Sequence, residues 1–198
     1  NLIKENNDIL KSLSNDYKDS FKNIDLSKFK KYSIISIIGI GGSILGAKCI
    51  YNFLKKKIKK KFIFKDDLEI KNLNNKKNLN LIISKSGNTL ETITNSNILV
   101  KKNDPNIFIT ENKKNYLSTL ALKLKSEIIH HNNFIGGRYS VLSEVGMLPA
   151  EMMGLSVKKF RKFDELIKNK YFIKSLISNV SNTFYLIKKN KFHSVMLN

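Results

Sequence analysis

The chain has 198 residues, enough for one full domain and part of another. Hydrophobic residues make up 41% of it, which suffices for a core, and no apolar stretch approaches the roughly 18–20 residues of a membrane span. A single cysteine excludes an intrachain disulfide, and the first residues lack the apolar block of a signal peptide, so we expect a cytoplasmic protein. Because the chain starts with Asn and its last segment, KFHSVMLN, is typical of an entering strand, we also expect a fragment that lacks both ends.

The net charge of +20 suggests nucleic-acid binding at first sight. Only two of the 36 basic residues are arginines, however, and base recognition usually relies on arginine forks and stacked aromatic side chains. The lysines are spread over most of the chain, and Asn and Ile are abundant too, which is typical of A+T-rich coding sequence. Compositional drift therefore explains the charge better than a nucleic-acid site, although such a charge attracts small anions.

Strand and helix patterns alternate after a polar, helical pattern over residues 1–30. The predicted strands are 32–40, 61–64, 79–84, 106–110 and 127–131, and the predicted helices are 44–57, 89–101 and 116–125. The strands are nearly continuous apolar runs, which indicates burial on both faces. Alternation with short connections predicts an α/β fold with a parallel five-stranded sheet flanked by helices in three layers. From residue 140 onward the pattern is helical.

Three polar, glycine-bearing stretches follow predicted strands, at the carboxyl ends where parallel sheets bind ligands. They are GIGGSILG (39–46), SKSGNT (84–89) and IGGRYS (135–140). Their common location is the main sequence evidence for a binding site.

The second stretch has the features of an anion site. A helix that starts near Thr89 presents unpaired backbone N–H groups and the positive end of its dipole. Ser84, Ser86 and Thr89 offer hydroxyl donors, and Gly87 lets the backbone approach a ligand. Lys85 adds a positive charge unless its side chain points away.

The other two stretches suggest different roles. The first begins with the Gly-x-Gly of dinucleotide-binding folds, but Ile44 stands where the third glycine is needed, so that match is broken. Gly42 and Ser43 instead predict a tight turn that faces a ligand. In the third stretch, Arg138 follows two glycines in a chain that otherwise uses lysine, and its planar fork suits an oxyanion or a phosphate.

Each stretch also has an ordinary structural interpretation. Asn88 and Glu91 can form an N-x-x-E capping box, which is about as well supported as an anion site by that loop alone. Residues 41–43 can be a plain strand-to-helix turn, and Arg138 can be a surface arginine. The combination of all three stretches in one sheet favours a ligand site.

The segments IGIGGSILGAK, ISKSGNTLET and GGRYSVLSEVGMLPA occur in this order at suitable intervals. Together they resemble the N-terminal half of the glucose-6-phosphate isomerase family, part of the sugar isomerase (SIS) domain superfamily. The resemblance covers roughly residues 32–154. The serine-lysine loop occurs in altered form across sugar-phosphate domains, whereas G-G-R-[YF]-S is much narrower and points to this family.

The resemblance implies the interconversion of glucose 6-phosphate and fructose 6-phosphate through an enediolate, in glycolysis and gluconeogenesis. This reaction needs no metal or redox cofactor, only a carboxylate base, an acid for ring opening and an electrostatic clamp. The implied phosphate ligands are Ser84, Ser86 and Thr89 with the backbone around Lys85; Gly42 and Ser43 would line the sugar pocket, and Arg138 would stabilise the enediolate.

The catalytic base of the family lies elsewhere. The family places a glutamate in an E-S-x-G-K-like motif, with a histidine and a lysine, in a second SIS domain, and this sequence contains no such motif. His193 stands in the wrong context, His130 and His131 are predicted to be solvated, and Glu144 is predicted to be a cap or surface residue. We therefore expect binding of phosphate and oxyanion without turnover.

The resemblance also implies a domain organisation and partners. We expect a helical segment over 1–30, a SIS-type sugar-phosphate-binding domain over 31–155, and a helical connector with the start of a second SIS domain over 156–198. The partners implied are a sugar phosphate and, at full length, a second copy in a homodimer, with no nucleic acid and no membrane. Two alternatives stay open: a non-catalytic SIS-domain sensor of sugar phosphates, and a charge-driven nucleic-acid-binding module.

Overall fold

The computed structural model describes residues 8–14, 16–68 and 78–190. The strands are β1 (Ile34–Ile38), β2 (Lys61–Lys65), β3 (Leu79–Ile83), β4 (Asn106–Glu111) and β5 (Glu127–His131). The α-helices are α1 (Gly42–Leu54), α2 (Leu90–Leu99), α3 (Tyr116–Lys123), α4 (Glu144–Met152), α5 (Val157–Phe160), α6 (Phe163–Ile167) and α7 (Lys170–Asn190). Short 3₁₀ helices occupy Asp8–Leu13, Ser20–Asn23, Ser27–Phe29, Lys55–Lys57 and Gly137–Leu142.

The five strands form one parallel sheet in the order β2-β1-β3-β4-β5. The chain leaves β1 toward one edge through α1 and leaves β3 toward the other edge through α2 and α3. Right-handed crossovers in opposite directions place α1 on one face and α2 and α3 on the other. The predicted parallel five-stranded sheet flanked by helices is therefore confirmed. The strand order reverses between β1 and β3, which is where ligands bind in sheets of this kind.

The sheet is buried because helices cover it. All five residues of β3 are buried, which explains its unbroken apolar pattern. On the face of α3, Ile38, Ile82 and Phe108 pack against Leu117 and Ala121. Burial of such side chains stabilises the fold by about 1.5–3 kcal/mol each. The core thereby holds the carboxyl ends of neighbouring strands at a constant spacing.

The segment before the sheet differs from its prediction. Residues 1–30 have a helical pattern, but the described part forms short 3₁₀ helices separated by extended backbone. Phe21 and Phe29 are buried from two of these helices, and Arg161 binds Asp19 just before the first of the two. Tertiary anchors at short intervals therefore replace the continuous helix. The predicted strand at the end of the chain and His193 lie outside the described residues.

The chain divides into two compact units, Asn1–Arg161 and Lys162–Asn198. The first contains the sheet and every candidate site residue. The second contains α6 and the 21-residue α7, many of whose apolar side chains are exposed. Within the described ranges, no helix combines the length and the apolar character needed to span a membrane.

Candidate functional site

The first and third glycine-bearing stretches touch each other. The start of α1 lies directly against the turn that carries Arg138: a Cβ on Gly42 would sit 2.7 Å from the Cα of Gly137 and closer still to its carbonyl group. The hydroxyl of Ser140 donates to the carbonyl of Gly42 at 3.1 Å and to that of Gly137 at 2.7 Å. Glycine at position 42 is thus required by a close backbone approach. Ser43 is half-buried beside it.

The second stretch joins the same edge of the sheet. It follows β3, the neighbour of β1, and a Cβ on Gly39 would lie 2.8 Å from the carbonyl oxygen of Ile83. The ammonium of Lys85 donates to the carbonyl of Asn133, just before the third stretch, at 2.7 Å. All three stretches therefore meet around the point where the strand order reverses. The structure brings the sequence-predicted site residues to one edge of the sheet.

The loop after β3 carries a cluster of hydroxyl groups. Thr89 Oγ1 lies 2.9 Å from Ser84 Oγ and 3.4 Å from Ser86 Oγ. Ser84 is buried, whereas Ser86 is exposed, so the cluster runs from the core to the surface. The loop turns tightly at Gly87, whose φ of +66° is readily adopted only by glycine and whose Cα hydrogens face Asn115.

Several backbone N–H groups beside these hydroxyls have no partner. Thr89 is the N-cap of α2, but its side chain does not cap the helix. Within the described part of the chain, the N–H groups of Leu90, Glu91 and Thr92 in the first turn donate to no acceptor. The N–H groups of Lys85 and Ser86 donate to none either. Unpaired donors at the positive end of a helix form an anion site.

The alternative capping box is not formed. Asn88 directs its side-chain oxygen to another helix, where it accepts from the backbone N–H of Tyr116 at 3.0 Å. It therefore ties the loop to the start of α3 and leaves the first turn of α2 open.

The Lys85 side chain points to neighbouring protein groups. Besides donating to Asn133, its ammonium lies 3.5 Å from Glu111, which also pairs with Lys113. The hydrogen bond from Lys113 and the two lysine charges lower the pKa of the Glu111 carboxyl despite its burial. The charge of Lys85 is thus largely engaged, and its unpaired backbone N–H is the group left for a ligand.

The two arginines of the chain have opposite environments. Arg161 is buried, and its guanidinium donates twice to Asp19, at 2.8 and 2.6 Å, and once to the carbonyl of Leu142, at 2.6 Å. The side chain of Arg138 is exposed and makes no hydrogen bond or ion pair with any residue that the structure describes. Arg161 is therefore a structural residue, whereas the fork of Arg138 is available to an anion.

Behind the Arg138 turn lies a buried polar cluster that the sequence did not predict. His131 is 2% exposed and Glu144 is fully buried, so the predictions of a solvated His131 and of a surface position for Glu144 are wrong, whereas the alternative prediction of a helix-cap role agrees with Glu144 at the start of α4. Glu144 begins α4, and its Oε1 accepts from the hydroxyl of Tyr17 at 2.8 Å and from the N–H of Ser20 at 3.2 Å. His131 Nδ1 lies 3.4 Å from Glu144 Oε2. His130, the exposed neighbour, matches its prediction.

These contacts determine the charge state of the cluster. Burial alone would raise the pKa of Glu144, but the hydrogen bonds from His131, its own backbone N–H, Tyr17 and Ser20 lower it below the ordinary value. Burial and the nearby Glu144 carboxylate raise the pKa of Tyr17. The only sequence signal for this cluster was the end of an apolar strand, where alternation makes one of two adjacent histidines face inward.

The comparisons with known proteins agree with this geometry. The sequence profile of the family described as "Phosphoglucose isomerase" matches residues 3–187, nearly the whole chain. This chain belongs to that family. Glucose-6-phosphate isomerase of Acholeplasma laidlawii is 37% identical over 166 residues, which cover 73% of this chain and 37% of the relative. Glucose-6-phosphate isomerase of Methanocaldococcus jannaschii is 30% identical over 91% of this chain and 50% of the relative.

A solved structure shows the same fold. Tagatose-6-phosphate ketose/aldose isomerase from Escherichia coli matches with a TM-score of 0.54 at 18% sequence identity, over 72% of this chain and 46% of that one. The chain spans half or less of the length of the curated family members described above. The family membership, which the sequence motifs suggested, is confirmed.

Proposed function

We propose that this chain is the sugar-phosphate-binding half of a glucose-6-phosphate isomerase. The observation that carries the proposal is the meeting of two anion sites at one edge of the sheet: the unpaired N–H groups and hydroxyls at the start of α2, and the unpaired guanidinium of Arg138. A phosphosugar that becomes an enediolate has a phosphate at one end and a developing negative charge at the other.

The phosphate would bind at the loop after β3. Ser84, Ser86 and Thr89 supply hydroxyl donors, and Lys85 supplies its backbone N–H. Charge-assisted hydrogen bonds contribute about 1.5–3 kcal/mol each, so several together hold a phosphate monoester.

The sugar would lie between this loop and the Arg138 turn. Gly42 and Ser43 line the space between them, because the start of α1 packs on that turn. Arg138 would stabilise the enediolate oxygen, which carries more charge in the transition state than in the substrate.

The general base would come from another part of the full-length protein. Of the described carboxylates near the site, Glu111 pairs with two lysines and Glu144 is fully buried, while Glu91, in the first turn of α2, is followed by Thr-Ile-Thr and not by an E-S-x-G-K-like motif. We therefore propose binding by the 198-residue chain without turnover, which a coupled assay of fructose 6-phosphate conversion tests directly. Sustained isomerisation by this chain alone would contradict the assignment of the base to another part.

Ligand binding tests the two anion sites separately. Isothermal titration compares glucitol 6-phosphate, which offers only a phosphate, with 6-phosphogluconate, which adds a carboxylate at C1. We expect both to bind, the second roughly tenfold more tightly, because one further charge-assisted contact to Arg138 contributes at least about 1.5 kcal/mol. Arg138→Gln should abolish the difference and Ser86→Ala should weaken both ligands.

The same titration separates this function from charge-driven binding of nucleic acid. Binding of a phosphosugar in a built site depends weakly on salt, whereas nucleic-acid binding falls steeply as salt rises. Tight binding of a DNA or RNA oligonucleotide with no response to 6-phosphogluconate would overturn the proposal. A cytoplasmic location and a homodimer at full length stay predictions.

A further inference from the structure

The segment that carries Arg138, residues 132–143, is anchored at both ends by polar groups, the half-buried Tyr17 and the buried Arg161. At its start, the Asn132 amide donates to the hydroxyl of Tyr17 at 2.8 Å. At its end, the carbonyl of Leu142 accepts from Arg161 at 2.6 Å. Between these anchors the segment is exposed around Arg138 itself. The position of the guanidinium therefore depends on contacts that lie beneath it.

His131 contacts the first half of this segment, while the start of α1 contacts Gly137 and Ser140 in its middle. The Nε2 atom of His131 lies 3.1 Å from the carbonyl oxygen of Ile135, three residues before Arg138. A carbonyl oxygen and a carboxylate oxygen only accept, so both ring nitrogens carry a proton when His131 makes both contacts. Ile135 is fully buried, and its own N–H donates to the carbonyl of Asn132 at 3.1 Å.

The other ring nitrogen faces Glu144. Nδ1 lies 3.4 Å from the carboxylate oxygen Oε2, and the opposite oxygen is held by Tyr17 and Ser20. One carboxylate thus orients the imidazole and the N-terminal segment together. Both carboxylate oxygens of Glu144 therefore accept hydrogen bonds within this cluster, from His131 on one oxygen and from Tyr17 and Ser20 on the other.

We propose that His131 is a positioning residue for Arg138. It holds the carbonyl of Ile135 through Nε2 while Glu144 holds the ring through Nδ1, and this sets the course of the turn that presents the guanidinium. The proposal rests on the proposed function in one respect, since it assigns Arg138 to the sugar oxyanion. It predicts that His131 affects oxyanion recognition much more than phosphate recognition, because the hydroxyl cluster at 84–89 is bonded to neither His131 nor Glu144, and the described link from that loop to the segment is the Lys85 ammonium on the Asn133 carbonyl.

The test uses the 198-residue chain and four variants. His131→Phe keeps a flat ring without a donor. In His131→Asn, the amide occupies the place of Nδ1, so the contact with Ile135 is lost. In His131→Gln, the longer side chain brings its amide to the place of Nε2, so the contact with Ile135 is kept. His130→Phe is the matched control, since His130 is the exposed neighbour on the same strand, and the Ser20 hydroxyl binds its backbone carbonyl rather than its ring.

Two readouts are needed. The first is the ratio of the dissociation constants for glucitol 6-phosphate and 6-phosphogluconate. We expect this ratio to fall from roughly ten to about one in His131→Phe and His131→Asn, with the affinity for glucitol 6-phosphate changed less than about twofold. His131→Gln should recover most of the ratio, and His130→Phe should equal the original chain.

The second readout is amide hydrogen exchange of residues 135–143 without ligand, which reports loosening of the turn. We expect exchange at least about tenfold faster in His131→Phe and His131→Asn, and near the original rate in His131→Gln. The proposal would be overturned if His131→Phe kept both the ratio of dissociation constants and slow exchange. If His131→Phe does not fold, the same outcome in His131→Asn would overturn it.

The two readouts also separate this proposal from the proposed function. If the original chain shows no preference for 6-phosphogluconate, the assignment of Arg138 fails, and the exchange rates alone then decide whether His131 holds the turn. If the preference exists, depends on Arg138 and survives in every His131 variant, only the positioning role fails.

Discussion

At the residue scale, the two arginines show how one side chain serves opposite purposes. A guanidinium offers five donors and is always charged, so its role follows from what surrounds it. Arg161 finds the Asp19 carboxylate and a backbone carbonyl within the core, and it also covers the ring of Tyr17 at 4.9 Å. The guanidinium of Arg138 is exposed and bonds to no described residue, so all its donors are available to a ligand.

We expect the same substitution to have opposite effects at these two positions. Arg138→Gln should change the free energy of unfolding by less than about 0.5 kcal/mol, because it breaks no contact among the described residues. Arg161→Gln should destabilise the fold by about 3–5 kcal/mol, because it leaves the buried Asp19 uncompensated. Urea denaturation measures both. Equal losses of stability would contradict the structural distinction between the two arginines.

Glu144 should make stability depend on pH. Its pKa in the folded chain lies below the ordinary 4.5, because its hydrogen bonds outweigh its burial. The stabilisation is therefore present above the unfolded-state pKa and is lost as the pH falls through the folded-state pKa. Glu144→Gln should cost about 1–3 kcal/mol at pH 7, and less at an acid pH below the folded-state pKa of Glu144, where the original chain has lost the same contribution.

Urea denaturation at both pH values checks this dependence. Glu151→Gln is the matched control, since Glu151 forms a partly exposed pair with Lys22 at 2.8 Å, for which we expect less than about 1 kcal/mol at either pH. A cost for Glu144→Gln that is the same at both pH values would show that its charge does not stabilise the fold.

At the scale of elements, the site depends on the packing of α1 against the turn at 137–142. The helix start and the turn approach backbone to backbone, and Val141 fills the space beside Gly46. The helix side of this contact therefore needs glycine at positions 42 and 46, whereas a Cβ on Gly137 would meet only the Cα of Gly42, at 3.6 Å. The contact places Ser43, at the start of α1, next to the turn that carries Arg138.

Alanine substitutions of two glycines in the same neighbourhood should differ. Gly42→Ala would force a methyl group into the backbone of Gly137, so we expect a loss of about 1–3 kcal/mol and weaker binding of 6-phosphogluconate. Gly136→Ala is the control, because its Cβ would meet only the Tyr139 ring, at 3.8 Å. Thermal unfolding and titration measure both effects, and tolerance of Gly42→Ala would mean that the two elements separate easily.

At the scale of the whole molecule, the compact unit that holds the site ends at Arg161. Its last residues include Val157 and Arg161, both buried. Since Arg161 bonds to the carbonyl of Ser12, to Asp19 and to the carbonyl of Leu142, it connects the N-terminal segment to the Arg138 turn. All the candidate site residues lie in this unit.

A shortened chain of residues 1–161 should therefore fold and bind phosphosugars, whereas residues 1–155 should not. The shorter version loses Arg161 and leaves Asp19 buried without its partner, at a cost of about 3–5 kcal/mol. Circular dichroism with thermal unfolding gives the first readout, and titration with 6-phosphogluconate gives the second. Equal stability of both chains would show that Arg161 is dispensable.

The amino-acid sequence alone determined the sheet and the location of the site. Strands such as Leu79–Ile83 are covered on both faces, so a continuous apolar run in the sequence indicates their burial. The alternation of strands with helices along the chain implies parallel pairing. Serine, threonine and glycine directly after those strands indicated the binding edge, because carboxyl ends of parallel strands meet there.

Only the tertiary structure decided which polar groups are available. Lys85 is engaged by Glu111 and Asn133, and Asn88 caps a helix other than the one it precedes. The pairing of Glu144 with His131 and with Tyr17 joins parts of the chain more than a hundred residues apart. Local pattern carries no information about such partners, because hydrogen bonding of a side chain depends on what the folded chain places next to it.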